Sequence, residues 1–276
     1  MLAAKTVRLH DLLKRMPAAV VAFSGGVDSS YLADRAHAVL GPSAVAVTAV
    51  SPSLARRELE GARSLAAGRG WSHLVVGTHE VAREEYARNA SDRCYWCKTE
   101  LYEVLGPIAR GRGADILVGT NIDDLGDHRP GHRAADEHGV RAPLVEAGIS
   151  KSDVRALSAE LGLPTTDKPA SPCLASRFAY GIRVTPEGLR RVEEAEEIVR
   201  GYGFEVFRVR DHGDLARIEV RREQIGRAVE VGEEIAAHLR ALGYRYVTLD
   251  LQGFRSGSLN DVLRPPTIRR SGDRPA

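Results

Sequence analysis

The run Ser24-Gly25-Gly26-Val27-Asp28-Ser29-Ser30 joins a short apolar stretch, Ala18–Phe23, to a helical pattern extending from about Ser29 to Leu40. A strand that hands over to a helix through paired glycines can turn sharply and expose successive backbone N–H groups. Those donors and the positive end of the helix together form an anion site. The spacing is neither that of the Walker loop, which needs a Gly-Lys-Ser/Thr ending, nor that of the dinucleotide-binding glycine fingerprint. Asp28 is unsuited to touching phosphate itself, and its carboxylate suits a magnesium ion instead. The plainer reading is a strand-to-helix turn whose glycines serve only steric needs.

The surrounding pattern predicts the sheet this loop would serve. Ala44–Val50, His73–Gly77 and Asp115–Gly119 read as further buried strands, and helical patterns cover about Leu54–Gly68 and Tyr95–Arg110. Continuous apolar strands separated by helices predict an α/β fold, a doubly wound parallel sheet covered on both faces. Ser150, with Asp153 three residues on, predicts a capped helix start, and Leu161-Gly162 its end. The segment Leu163–Cys173 carries Pro164, Pro169 and Pro172 and reads as an extended connection.

Beyond it the character changes. A charged helix over about Pro186–Arg200 leads to strands at Val206–Arg210 and Ala216–Val220. A helix over about Arg222–Leu242 then precedes a strand at Tyr246–Leu251. These predict a smaller C-terminal α+β domain. The expected organisation is residues 1–180, then 181–263, then a Pro/Arg/Ser/Gly-rich tail, 264–276, expected to be disordered. Lys+Arg number 39 against 37 for Asp+Glu. That balance argues against a dedicated nucleic-acid binder. No apolar stretch matches a membrane span or a signal peptide, so a cytoplasmic protein is expected.

The chain has three cysteines, Cys94, Cys97 and Cys173, too few and too odd a number for a disulfide framework. Cys94-Tyr95-Trp96-Cys97 admits a redox dithiol, half a zinc site, or cluster ligands. Three thiolates without an obvious fourth favour an iron–sulfur cluster with one iron left open. Zinc would need a fourth ligand such as His128 or His132.

Several motifs narrow the family. The loop Ser24–Ser30 resembles that of the PP-loop ATP pyrophosphatase superfamily, the adenine nucleotide α-hydrolase-like fold. Asp92-Arg93-Cys94-Tyr95-Trp96-Cys97-Lys98, Gly119-Thr120-Asn121-Ile122-Asp123-Asp124, Asp127-His128-Arg129-Pro130-Gly131 and Asp167-Lys168-Pro169-Ala170 resemble the LarE family. So do Cys173-Leu174-Ala175-Ser176-Arg177, Ala216-Arg217-Ile218-Glu219-Val220 and Gly253–Asn260. The resemblance runs from about residue 18 to 263, in order. It implies an ATP-dependent sulfurtransferase that forms AMP and pyrophosphate. The implied substrate is pyridinium-3,5-biscarboxylic acid mononucleotide, a precursor of the nickel-pincer nucleotide, whose carboxylates become thiocarboxylates. In the three-cysteine type of the family the implied sulfur carrier is a [4Fe-4S] cluster on Cys94, Cys97 and Cys173, fed by a sulfide source. A homo-oligomer is also implied.

The expected roles follow from these motifs. Ser24, Gly25, Gly26, Ser29 and Ser30 would hold pyrophosphate, and Asp28 Mg2+. Gly119, Thr120 and Asp124 would lie at strand C-terminal ends, where doubly wound sheets bind ligands, with Asp124 a second magnesium or ribose contact. Lys151 would neutralise the leaving pyrophosphate. Trp96 would stack on the pyridinium ring or pack in the core. Arg208, Arg210 and Arg217 would clamp the substrate phosphate or line a solvated sheet face, and Glu219 would pair with them or bind a metal. Two other functions stay open at this point, a tRNA thiolase of the same superfamily and a zinc-stabilised nucleotide-binding protein without turnover.

Overall fold

A computed structural model describes residues 2–126, 130–255 and 257–263. The chain divides into two compact units. The first is residues Met1–Ala175 with Val184–Leu189, and the second is Ser176–Arg183 with the chain from Arg190 onward.

The first unit contains α1 (Leu2–Lys14), β1 (Ala19–Ala22), α2 (Val27–Leu40), β2 (Ala44–Val50), α3 (Arg56–Gly68) and β3 (His73–Gly77). It continues with α4 (Glu84–Ala87), α5 (Arg93–Arg112), β4 (Asp115–Leu117), α6 (Pro130–Glu137), α7 (Pro143–Glu146) and α8 (Lys151–Glu160). The sheet order is β3-β2-β1-β4, with every pairing parallel. Strand alternation sends Ala19, Val21, Ala44, Ala46 and Leu117 into one core with Leu9, Leu13, Leu32, Leu65 and Leu157. It sends Val20, Val45, Val47 and Ile116 into another with Tyr102, Leu105 and Ala134. Strands β1, β2 and β4 are therefore buried on both faces, as their unbroken apolar runs predict, whereas the edge strand β3 leaves Leu74 and Val75 exposed. The α/β, doubly wound expectation holds.

Helix α1 and helix α6 have no counterpart in the sequence reading. The apolar residues of α1 are isolated among charges, yet Leu9 and Leu13 are buried. The expected start of α8 is found in full. Ser150 Oγ accepts from Asp153 N at 3.1 Å, and Ser150 N donates to Asp153 Oδ2 at 2.9 Å.

The second unit takes up α9 (Pro186–Gly201) from Arg190 onward, then β5 (Phe207–Asp211), β6 (Leu215–Val220), α10 (Ile225–Glu230), α11 (Gly232–Ala241) and β7 (Tyr246–Leu249). Its sheet is mixed, β5 antiparallel and β7 parallel to β6. The single helix expected over Arg222–Leu242 is a short 3-10 turn followed by two helices. Val231 leaves helical geometry between them (φ −97°, ψ 11°), just before Gly232, a poor helix former. Arg177, 2% exposed, forks onto buried Glu196 through Nε and Nη2 at 2.8 and 2.9 Å.

That pair gives the first expected outcome. Glu196→Ala strands a buried guanidinium and should lower unfolding free energy by about 3 kcal/mol. Arg177→Met with Glu196→Leu should recover most of the loss in a denaturant titration. A second outcome concerns the α8 cap. A hydrogen bond from Lys5 (2.6 Å), followed by the Ser150 N–H, lowers the Asp153 pKa to about 2. The folded carboxyl has the lower pKa, so its contribution is complete above the unfolded value of about 3.9 and fades as pH falls from about 4 toward 2. Melting curves should show wild type losing more stability than Asp153→Asn across that window.

Candidate functional site

The loop after β1 is built to leave N–H groups unspent. Phe23 anchors it, edge-on to Trp71 with ring centroids 5.6 Å apart. Gly25 takes φ +70°, a conformation that side chains resist. Gly26 is the N-cap of α2 and offers no side-chain cap, so the first turn keeps its donors for an anion. The helix starts at Val27, two residues earlier than the sequence pattern suggests. Ser29 Oγ donates to Gly26 O at 3.1 Å, lies 3.1 Å from Ser24 Oγ, and accepts from Ser24 N at 3.3 Å. Ser30 is fully buried.

The exit of β4 presses against this turn. A Cβ on Gly119 would stand 2.8 Å from Ser29 N and 2.9 Å from Asp28 C, so only glycine fits. Half-buried Thr120 follows, and Asn121 Nδ2 then donates to Asp28 Oδ1 at 3.2 Å. The other Asp28 oxygen accepts from the Lys151 ammonium at the start of α8. Asp28 and Lys151, 123 positions apart, thus meet beside the loop. Asp124 turns back on its own segment, accepting from Asn121 N at 3.1 Å, and Asp123 accepts from Lys151 N at 2.8 Å.

Residues that the sequence reading left without a role complete this loop. Lys168 Nζ donates to Gly25 O at 2.9 Å and pairs with Glu58 at 2.7 Å, while Ser171 donates to Glu58 at 3.0 Å. Burial opposes the Glu58 charge, but hydrogen bonds from Lys168 and Ser171 with the charges of Lys168 and Arg57 outweigh it and hold its pKa below the ordinary value. A lysine inside a proline-rich connection was the available signal. Asn121 lies within the Gly119–Asp124 motif.

The same connection carries Cys173 toward the CxxC helix. Leu174 N donates to Ser53 O at 2.8 Å. Buried Arg93, at the start of α5, donates to Ala175 O at 2.9 Å and also bonds Asn89. Cys94 and Cys97, one helical turn apart, share a face of α5. None of the three cysteines is in a disulfide, and Cys94 is exposed while the others are half-buried. Burial pushes the Cys97 thiol up to about 12, with Cys173, Glu80 and Cys94 adding to it. Burial also raises Cys94, against the pull of Arg93 and with Cys173 adding. Lys98 is surrounded by enough protein to oppose its charge, yet Tyr102 and the three cysteines hold its pKa above the ordinary value. Among the described residues no three His, Cys, Asp or Glu side chains stand close enough to hold one metal ion. His128 lies outside the described residues.

Trp96 is half-buried, its Nε1 donating to Asp92 at 3.1 Å and its ring edge-on to Tyr95. In the second unit, Glu219 is fully buried and takes Arg210 on Oε2 at 3.0 and 2.7 Å. Its Oε1 accepts from Arg217 at 3.0 Å and Ser258 at 2.9 Å. Arg210 also donates to Ser176 O, so its fork is spent inside the unit. Arg217 keeps 29% of its side chain exposed and lies 3.6 Å from Asp250. Arg208 packs over Phe254 at 5.1 Å. Strand register sets Arg208 opposite Glu219 and Arg210 opposite Arg217.

No protein-family model matches the chain. It is 40% identical over 264 residues to the pyridinium-3,5-bisthiocarboxylic acid mononucleotide synthase of Lactiplantibacillus plantarum, covering 95% of this chain and 96% of that protein. It is 48% identical over 267 residues to an uncharacterized protein of Synechocystis, covering 95% and 99%. The tRNA-specific 2-thiouridylase of Azorhizobium caulinodans is 34% identical over 196 residues, 55% of this chain and 49% of that protein.

The Gly119 contact supplies a test of the loop. Gly119→Ala must move the first turn of α2, and it should cost about 1–3 kcal/mol of stability. Calorimetry should also show weakened binding of ATP or inorganic pyrophosphate. Unchanged binding would mean that this turn does not hold the anion.

Proposed function

The chain belongs to the LarE family of the PP-loop superfamily, and on that footing we propose that it adenylylates a carboxylate of pyridinium-3,5-biscarboxylic acid mononucleotide and converts it to a thiocarboxylate. In the first step a substrate carboxylate oxygen bonds to the α-phosphorus of ATP, and the bond to the β-phosphate oxygen breaks, releasing pyrophosphate. In the second, sulfur bonds to the acyl carbon, and AMP leaves with the former carboxylate oxygen.

The observation that carries this reading is the fastening of the Cys173 segment to the phosphate loop, Lys168 Nζ to Gly25 O at 2.9 Å. It joins an anion-binding turn and sulfur ligands in one unit. The uncapped first turn of α2, with Ser24, Gly25, Gly26, Ser29 and Ser30, would hold the polyphosphate. Gly119 and Thr120 would line the nucleotide side, and Asp124 would shape their loop while offering a metal or ribose contact. Lys151 would neutralise charge on the departing pyrophosphate, a task for a preorganised cation. Asp28 already draws a cation to its carboxylate, so its donor set suits Mg2+, which when bound would supply further charge neutralisation. Trp96 is proposed to face the pyridinium ring, and Arg208 and Arg217 to meet the substrate phosphate, with Arg210 and Glu219 fixing them.

For sulfur we propose a [4Fe-4S] cluster on Cys94, Cys97 and Cys173, which when bound would supply the transferable sulfur. The Arg93–Ala175 contact fastens the chain two residues past Cys173 to the start of the helix that carries Cys94 and Cys97, and three thiolates with one iron left open suit such a cluster. The same reading makes the protein a cytoplasmic homo-oligomer that draws on a separate sulfide source.

Anaerobic purification and assay with ATP, Mg2+ and the dicarboxylate mononucleotide test the reading. Pyrophosphate release should depend on that substrate and fall at least about 100-fold, roughly 2.7 kcal/mol of barrier, in Asp28→Asn and Lys151→Ala. Cys173→Ala should keep pyrophosphate release and lose thiocarboxylate formation together with iron and acid-labile sulfide. Zinc without sulfide would overturn the cluster as sulfur source. Pyrophosphate release stimulated by tRNA rather than by the mononucleotide would overturn the substrate assignment.

A further inference from the structure

The atom that Lys168 grips is half of a peptide group whose other half is an unspent donor. Its ammonium donates to Gly25 O at 2.9 Å and pairs with Glu58 at 2.7 Å. The Gly26 N–H of the same peptide has no acceptor among the described residues, and Gly26 is the N-cap of α2. Carbonyl and N–H of one peptide are joined by resonance. A cation on the oxygen draws electron density from the nitrogen and makes the N–H a stronger donor. An anion on the N–H makes the oxygen a stronger acceptor in return. Hydrogen bonds linked in this way reinforce one another by about 10–30% each. The same lysine begins the path to Cys173. Ser171 donates to Glu58 at 3.0 Å and Leu174 N to Ser53 O at 2.8 Å. The chain around Cys173 is thus held at Lys168, Ser171 and Leu174, and the first two of these holds converge on Glu58.

We propose that Lys168 is a positioning residue that couples the phosphate loop to Cys173 through the Gly25–Gly26 peptide. An anion on the loop tightens the hold on the cysteine segment, and that hold tightens the anion; by linkage each effect implies the other. This deepens the sulfur-transfer reading and rests on its assignment of the loop to polyphosphate. It also orders the two steps. The Cys173 segment is held hardest while pyrophosphate occupies the loop and eases when pyrophosphate departs, the moment at which sulfur must reach the acyl carbon.

Gly25-Gly26 is the one Gly-Gly pair in the sequence. Glycine labelled at both carbonyl carbon and amide nitrogen therefore gives a single coupled NMR signal, from this peptide alone. In the anion-free full chain, Lys168→Met should move its nitrogen upfield, and an unmoved signal would overturn the proposal whatever the loop binds. Magnesium pyrophosphate should move the wild-type carbonyl carbon downfield. An upfield move would mean that the lysine has left the carbonyl for the anion, and would overturn it as well. Cys173 is half-buried, so its alkylation by iodoacetamide reads how readily its segment opens. In the cluster-free chain, at one fixed pH and under anaerobic reducing conditions, saturating pyrophosphate should slow that alkylation roughly two- to fourfold, the size of a partial strengthening of one charge-assisted hydrogen bond. In Lys168→Met pyrophosphate should bind at least about twofold more weakly by calorimetry and leave the Cys173 rate alone. A slowing that persists in that variant would be the anion's field acting on the thiolate, which sinks the proposal. Glu58→Gln leaves Lys168 on the carbonyl and removes a negative charge, so it should bind pyrophosphate at least as tightly as wild type. A weakening equal to that of Lys168→Met would trace the effect to packing of the connection and count against the coupling. Wild type that binds pyrophosphate with an indifferent Cys173 would remove the proposal alone, whereas wild type that binds none would remove the polyphosphate reading of the loop together with it.

Discussion

Everything at this site depends on how a carboxylate is kept beside a loop whose helix terminus favours an anion. Glu58 stands at the start of α3, close enough to share Lys168 with the Gly25 carbonyl. Alone, its charge would repel an anion arriving at the turn. The Lys168 ammonium cancels that charge and at the same time bonds the backbone of the loop. It holds the connection that ends in Cys173, so electrostatic balance and chain path are set by one contact. The arrangement on the other side of the loop is similar in kind, with Asp28 meeting Lys151 and Asn121.

The sheet explains why these long-range partners can be so well aligned. In a parallel sheet the strand ends that face ligands are all carboxyl ends, and β1 and β4 are hydrogen-bonded neighbours. Gly119 and Ser29 therefore approach within backbone contact, and the loops after β1 and β4 form one surface. Burial of β1, β2 and β4 on both faces makes this geometry stiff, since none of them can slip without moving its side chains into the opposite core.

Local signals were legible. The glycine loop, the apolar strands and the Ser150–Asp153 capping box are each specified by residues adjacent in sequence. The break between α10 and α11 was missed because Val231 and Gly232 weaken helix propensity without abolishing it. Helix α1 was missed because its apolar residues are isolated, and burial of Leu9 and Leu13 against the sheet decides its fate. Site residues divide in the same way. The cysteines and Asp28 could be singled out by type, whereas Lys168 acquires its role only through a partner 143 positions away. Arg210 could be read as a phosphate clamp or as part of a solvated sheet face because strand alternation reports the face a residue occupies and does not select its neighbours. The structure gives that guanidinium to Glu219.

The contact between Arg93 and the carbonyl of Ala175 spans 82 positions of chain. Chain entropy would otherwise scatter the third thiol far from the first two, and closing so long a loop is costly. On the proposed cluster reading, a loop closed by protein–protein bonds would let the three thiols meet an incoming cluster as one multidentate ligand. The third sulfur then arrives at an effective concentration set by the fold and not by chance encounter. Cluster uptake would in this sense be a chelate effect prepared during folding, and a cluster bound there would leave slowly because one released sulfur finds its place again before the others let go.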